Sequence, residues 1–174
     1  MTLATTRLRI STPTEPIVPG RGFYQLEEDA LYVQIGMFDP RYRFFSYLES
    51  QSVQLELDRQ ARLIFIEVTQ PRRHWEVSDD LQFPQAAEVA DLRWLDFRDT
   101  IREPRLSTNH SRSLLHVQFS SRLPLRNFYL TRDVIAQLDA SDRLAAIWIN
   151  DIEDDLAGRA IASFRKRCRR EAAS

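Results

Sequence analysis

The chain opens its clearest pattern at "LYVQI", where Leu31, Val33 and Ile35 fall on one side of an extended backbone and Tyr32 and Gln34 on the other. "VQLELD" repeats the rule, with Val53, Leu55 and Leu57 on one face and Gln54, Glu56 and Asp58 on the other. A period of two belongs to a half-buried β-strand. "RLIFIEV" differs: Leu63 to Ile66 is apolar on both faces, which predicts a central, covered strand. Between these strands Asp58 opens a short hairpin loop, where its carboxylate can accept backbone amides two residues on. "RYRFFSY" reads as a further strand after a Pro-marked turn, either packing its rings on one face with arginine in solvent or stacking bases while arginine holds phosphate.

The pattern is written twice. At one constant offset Leu31 recurs as Leu115, Val33 as Val117, Gln34 as Gln118, Pro40 as Pro124 and Phe44 as Phe128. After a short deletion, Val53 recurs as Val134, Leu57 as Leu138, Asp58 as Asp139, Arg62 as Arg143, Leu63 as Leu144 and Ile66 as Ile147. Self-similarity of this kind predicts a duplicated unit packed about a pseudo-twofold axis, a homodimer in one chain.

From Asp151 the period changes. Ile152, Leu156, Ala160, Ile161, Phe164 and Cys168 form one stripe at helical spacing. Glu153, Asp154 and Asp155 fill its first turn, and Arg165, Lys166, Arg167, Arg169 and Arg170 its last, an order that complements a helix dipole. Between the copies, residues 79–101 fit two readings: Ala86, Val89 and Ala90 have helical spacing, whereas Leu95 and Phe97 share a strand face. The Pro-rich "STPTEPIVPGRG" reads as an extended arm or loop. The expectation is an α+β fold in a single domain, residues 1–174. Two antiparallel β-meander repeats, about 22–78 and 92–158, share one core with a C-terminal amphipathic helix, whose basic end spans 159–174.

Size agrees with a shared core. At 174 residues and 43% apolar the chain can bury roughly 70% of its unfolded surface, whereas each half alone would be marginal. With 24 basic and 25 acidic residues the net charge is −1, so nothing global draws the chain to nucleic acid or an anionic membrane. Cys168 is the only cysteine, which suits a reducing compartment. No run approaches the ~18 apolar residues of a membrane span. The expectation is a soluble, cytoplasmic protein.

"YQLEEDALYVQI" followed by "LELDRQARLIFIEV" resembles the YuzE-like family of small bacterial proteins of unknown function. Tyr24, Asp29, Ala30, Leu31, Tyr32, Asp58, Ile66 and Glu67 occupy its characteristic places; the second copy has Thr108, Ser113, His116 and Trp148 where the first has Tyr24, Asp29, Tyr32 and Glu67. The resemblance implies a small α+β fold with a curved antiparallel sheet, and no reaction. The family's turn usually carries Gly; here Ala61 and Asp142 stand nearby.

Candidate chemistry is sparse. Glu67 follows an apolar run and shares a face with Leu63 and Phe65, the setting of a tuned acid or base or of a carboxylate paired at a sheet rim. A groove between the repeats could gather Glu67, Tyr32 and His116. His74, His110 and His116 have no metal-ligand spacing, and no phosphate or dinucleotide motif is present, so neither a metal nor a cofactor is expected. The cluster Arg165, Lys166, Arg167, Arg169 and Arg170 is a candidate anion site as well as the basic end of a helix. The leading expectation is a non-catalytic structural or interaction module, able to form a homo-oligomer through a sheet edge or the helix stripe. Nucleic acid and membrane are not expected partners. The alternatives are a small-ligand-binding protein or enzyme with its site in the groove, and nucleic-acid binding through the C-terminal basic cluster.

Overall fold

The computed structural model describes residues 6–36, 44–123 and 125–155. Among them the fold is all-β, which corrects the α+β expectation; the one helical piece is a single 3-10 turn at Arg72–His74. The strands are β1 (Leu8–Ser11), β2 (Gly20–Gln25), β3 (Ala30–Ile35), β4 (Ser46–Glu49), β5 (Val53–Leu57), β6 (Leu63–Val68), β7 (Glu76–Val77) and β8 (Asp91–Trp94). They continue as β9 (Asp99–Thr100), β10 (Arg105–Thr108), β11 (Leu115–Gln118), β12 (Arg126–Thr131), β13 (Val134–Leu138), β14 (Leu144–Ile149) and β15 (Glu153–Asp154).

Two sheets carry the copies. The first has the order β15-β2-β3-β6-β5-β4-β9 and the second β12-β13-β14-β11-β10-β7. The order β2-β3-β6-β5-β4 is matched by β10-β11-β14-β13-β12, every neighbouring pair antiparallel. It is not a simple meander, because β6 returns to lie beside β3. Register matches as well: the row Leu31–Val68–Val53 has its counterpart in Leu115–Ile149–Val134. Each copy even carries an irregularity at the same place, between Glu56 and Leu57 and between Gln137 and Leu138.

The inward rows of both sheets form one core, in which Leu31, Val33, Leu55 and Ile66 pack in the same cluster as Leu115, Val117, Leu138 and Ile147. The sheets therefore lie face to face, each strand presenting alternate side chains to the shared interior. Gly20 stands where they approach: a Cβ there would lie 2.2 Å from the Gln34 carbonyl oxygen and 2.7 Å from Thr131 Cγ2 of the other sheet.

The hairpin turns follow from their aspartates. Asp58 Oδ1 accepts from the amides of Gln60 and Arg62, both at 2.9 Å, and Asp139 Oδ1 from those of Ser141 and Arg143 at 2.8 and 3.1 Å. Ala61 and Asp142 then take positive φ, 63° and 57°, where Gly would be unstrained.

The copies also exchange elements. β7, which follows the first copy, pairs in parallel with β10 of the second sheet; β15, which follows the second copy, pairs in parallel with β2 of the first. Asp151–Asp155 is thus a bend leading into a strand, not the start of the expected helix. The acidic run that would suit a helix N-terminus instead sets Glu153 and Asp154 against Phe23 and Tyr24 of β2. The rest of that expected helix, including Arg165, Lys166, Arg167, Arg169 and Arg170, lies outside the described residues. β1 and β8 pair with each other as a separate two-stranded ladder, so the Pro-rich stretch expected as an arm lies between two strands. Residues 79–101 hold β8 and β9 and no helix.

Candidate functional site

The three expected groove residues do not meet in one groove. Tyr32 and Glu67 are cross-strand partners on β3 and β6, on the face of the first sheet turned away from the core. His116 occupies the equivalent place on the outer face of the second sheet, paired with Trp148, its ring stacked on the indole at 4.0 Å and 24°. The inward packing of Leu31 and Leu115 fixes this: their neighbours Tyr32 and His116 must point outward on opposite sides of the molecule. Leu63, expected to share the face of Glu67, joins the core instead, because the irregularity at Leu57 shifts the strand phase.

The outer face of the first sheet is nonetheless unusual. Ala30, Tyr32, Ile64 and Phe65 form a buried cluster with Phe23 against it, and the Tyr32 and Phe65 rings are 5.8 Å apart. The Tyr32 hydroxyl donates to the Glu28 carboxylate at the rim. On the same face burial, with the neighbouring Glu67 charge second, pushes the Glu56 carboxyl up to about 7. A carboxyl poised there could exchange a proton near neutrality. Among the described residues no group of three His, Cys, Asp or Glu is placed to hold a metal.

A polar network that sequence reasoning did not assemble sits beside the exchange point. Tyr24 donates to Asp29, Arg73 pairs with Asp29, and the Arg72 amide donates to the Tyr24 hydroxyl at 2.9 Å. Trp75 meets the Tyr24 ring edge-on at 5.9 Å, and Arg72 pairs with Asp154 of β15 at 2.6 Å. Burial, then the Asp29 hydrogen bond, pushes the Tyr24 phenol up to about 12; the same bond, then that of Arg73, holds Asp29 below the usual carboxylate range. Both groups are locked in the protonation states that suit a tie between strands. The clue in sequence was the Tyr–Asp spacing of the family resemblance; the second copy, with Thr108 and Ser113, lacks the pair.

A group of exposed rings lies elsewhere, at the β4/β9 edge of the first sheet. Phe44 and Phe97 are 57% and 54% exposed and Phe45 38%, which corrects the expected inward packing of "RFF". Phe45 bonds to the strand through Leu57, and Arg98 through the Tyr47 carbonyl at 2.6 Å, so both chain segments meet there. The guanidinium carbons of Arg59 and Arg98 lie 5.2 and 5.7 Å from the Phe45 ring centre. Among the described residues neither arginine has a carboxylate partner, whereas Arg62, Arg72, Arg93, Arg105 and Arg126 all do. Residues 41–43 of the motif lie outside the described residues.

A cleft of about 220 Å³ opens between residues 13–18, the Gln60–Leu63 turn and β8. Its two arginines, Arg62 and Arg93, are tied to Asp58 and Asp91. Among the described residues no helix is long and apolar enough to cross a membrane. No family model matches the chain, and no curated protein matches it.

Proposed function

We propose that the protein is a non-catalytic interaction module that grips an acidic polypeptide segment at the β4/β9 edge. The observation that carries this reading is the Phe45 ring with two guanidiniums over it and, among the described residues, no carboxylate paired with them. Exposed aromatics beside arginine are the composition of protein-interface anchors. A guanidinium stacked on a ring keeps its in-plane N–H groups available to a carboxylate. An acidic protein fits better than nucleic acid, because two arginines on a chain of net charge −1 make a short footprint for a phosphate backbone. The two outer faces point away from each other, which argues against a catalytic groove built from Glu67, Tyr32 and His116.

The test is binding of the full chain to an array of acidic peptides that include aromatic residues. The expected result is binding that weakens with salt, falls at least tenfold in Arg59→Glu/Arg98→Glu, and falls comparably in Phe97→Ser. Wild-type protein that retains no peptide, or retention that these substitutions leave unchanged, overturns the reading. Were the occupant a second copy of the chain, the particle mass in solution would double and Phe97→Ser would halve it.

A further inference from the structure

We propose that the outward face of the β1–β8 ladder binds a phosphomonoester group, held by Arg7, Arg9 and Arg143. The site uses none of Phe45, Arg59 and Arg98, so the inference does not depend on the acidic-peptide reading.

Alternation along the ladder sets the face. Leu8, Leu92 and Trp94 belong to the shared core and Ile10 packs against it, so Arg7, Arg9 and Arg93 stand on the opposite side. Arg9 is the direct cross-strand partner of Arg93. Arg7 is bridged on its other side to Arg143, the residue before β14. Directly opposite residues have Cβ atoms roughly 4.5–5.5 Å apart, and diagonal neighbours such as Arg7 and Arg93 lie at roughly 7–8 Å. Two arginine pairs thus stand side by side on one face, and like charges placed directly opposite destabilise a sheet.

The two copies differ in how they neutralise these charges. The Leu8 amide bonds to the Asp142 turn and the Trp94 amide to the equivalent Ala61 turn. Arg7 and Arg93 precede those two residues, and Arg143 and Arg62 follow those two turns, so the four form two equivalent pairs. On one side Arg62 is bonded to Asp58 at 2.7 Å and Arg93 to Asp91 at 2.9 Å. On the other, Asp139, the counterpart of Asp58, gives its Oδ1 to the amides of Ser141 and Arg143. The Arg143 Nε is buried and has no partner among the described residues. Asp96 accepts the backbone amide of Arg7 at 3.2 Å, not its guanidinium. Among the described residues Arg7, Arg9 and Arg143 are paired with no carboxylate, in contrast to Arg62 and Arg93. Three uncompensated guanidiniums can take more negative charge than one carboxylate brings. A phosphomonoester carries about −1.5 to −2 at neutral pH on three acceptor oxygens. Guanidinium forks match phosphate oxygens in pairs, so the monoester fits both the charge and the donors of this face.

The test is thermal unfolding and arginine Nε–H NMR of the full chain with phenyl phosphate, at an ionic strength held constant with chloride. Saturable shifts of the Arg9 and Arg143 signals and a ligand-dependent rise in Tm are expected. Arg9→Gln, at an exposed position, should weaken binding at least tenfold, and Arg9→Gln/Arg143→Gln should abolish the rise. Without ligand, Arg9→Gln should unfold at a higher temperature than wild type, because it removes the repulsion from Arg93. Shifts that do not saturate, or a rise that Arg9→Gln leaves intact, overturn the proposal. So does a ligand-free Arg9→Gln chain less stable than wild type, which would mark a structural arginine. Arg59→Glu/Arg98→Glu should leave phenyl phosphate binding unchanged; its loss there would move the site to the β4/β9 edge and overturn the assignment. Tighter binding of inorganic phosphate, or equal binding of an oligothymidylate without terminal phosphates, would assign the face to the free ion or to a diester backbone and overturn the monoester.

Discussion

Leu8 and Trp94 face each other across the β1–β8 ladder, and each reaches over to the copy that it does not precede. The Leu8 amide donates to the Asp142 carbonyl at 2.9 Å, and the Trp94 amide to that of Ala61 at 2.8 Å. Ala61 and Asp142 are themselves equivalent turn residues, so the pseudo-twofold axis passes between Leu8 and Trp94. Together with β7 and β15 this makes two reciprocal loans between the copies.

A chain cut in two should therefore depend on reassembly. Fragments 1–80 and 81–174 separate at exposed Asp80, and each lacks strands that its sheet borrows from the other. Each alone should show the poor amide dispersion of an unfolded chain, and mixing should restore a dispersed spectrum and a particle of full mass. Either fragment folding by itself would show that the loans are dispensable.

Ala61→Gly should stabilise the protein. Ala at φ 63° bears a left-handed strain of about 1–2 kcal/mol, and Gly costs roughly 0.5–1 kcal/mol of unfolded-state entropy, leaving a net gain of up to about 1.5 kcal/mol. Asp142→Gly should gain less, since Asp tolerates this conformation better. The urea midpoint measures both; a loss at Ala61 would contradict the strain.

Two half-buried groups pull stability in opposite directions with pH. Burial, then Arg105, pulls His116 down to about 4, so the folded state holds fewer protons than the unfolded one. Its contribution is complete above about 6.5 and is lost as pH falls toward 4. Glu56, raised to about 7, binds an extra proton on folding, so its contribution is complete below 4.5 and is lost as pH rises through 7. Thermal unfolding should show His116→Phe flattening the acid-side loss. Glu56→Gln should raise Tm above pH 7 and leave it nearly unchanged near pH 4.5. Parallel shifts at all pH values would refute both assignments.

Gln34 is fully buried on β3, and among the described residues neither atom of its amide has a hydrogen-bond partner. An orphaned buried polar group costs about 1–3 kcal/mol. Gln34→Met, similar in volume and free of that penalty, should raise stability by about 1–2 kcal/mol in denaturant titration. An unchanged midpoint would mean that the amide is hydrated in solution.

Where side chains alternate or run apolar over five or six residues, sequence reading located the strands: "LYVQI", "VQLEL" and "RLIFIEV" became β3, β5 and β6, and their repeats β11, β13 and β14. The Asp58 and Asp139 turns were legible for a local reason, since a carboxylate and the amides it serves lie within four residues. The loans were not. β7, β9 and β15 have two residues each, too short to show a period, and their partners are distant in sequence. The same blindness let Glu153–Asp155 pass for a helix start, because dipole logic sees charge order and not the free edge of β2. The β4/β9 site was half visible. "RYRFF" showed arginine among rings, but Arg59 and Arg98 come to Phe45 through tertiary folding alone.

Reciprocal lending has one more consequence. In an assembly of two identical chains every substitution is made twice, so both flanks of the particle must stay alike. Joined in tandem, the copies are free to specialise: one flank holds His116 against Trp148, the other Tyr32 beside Glu67. A symmetric scaffold has thereby become a two-sided object, able to present unlike chemistry to left and right without altering the interior that both sides share.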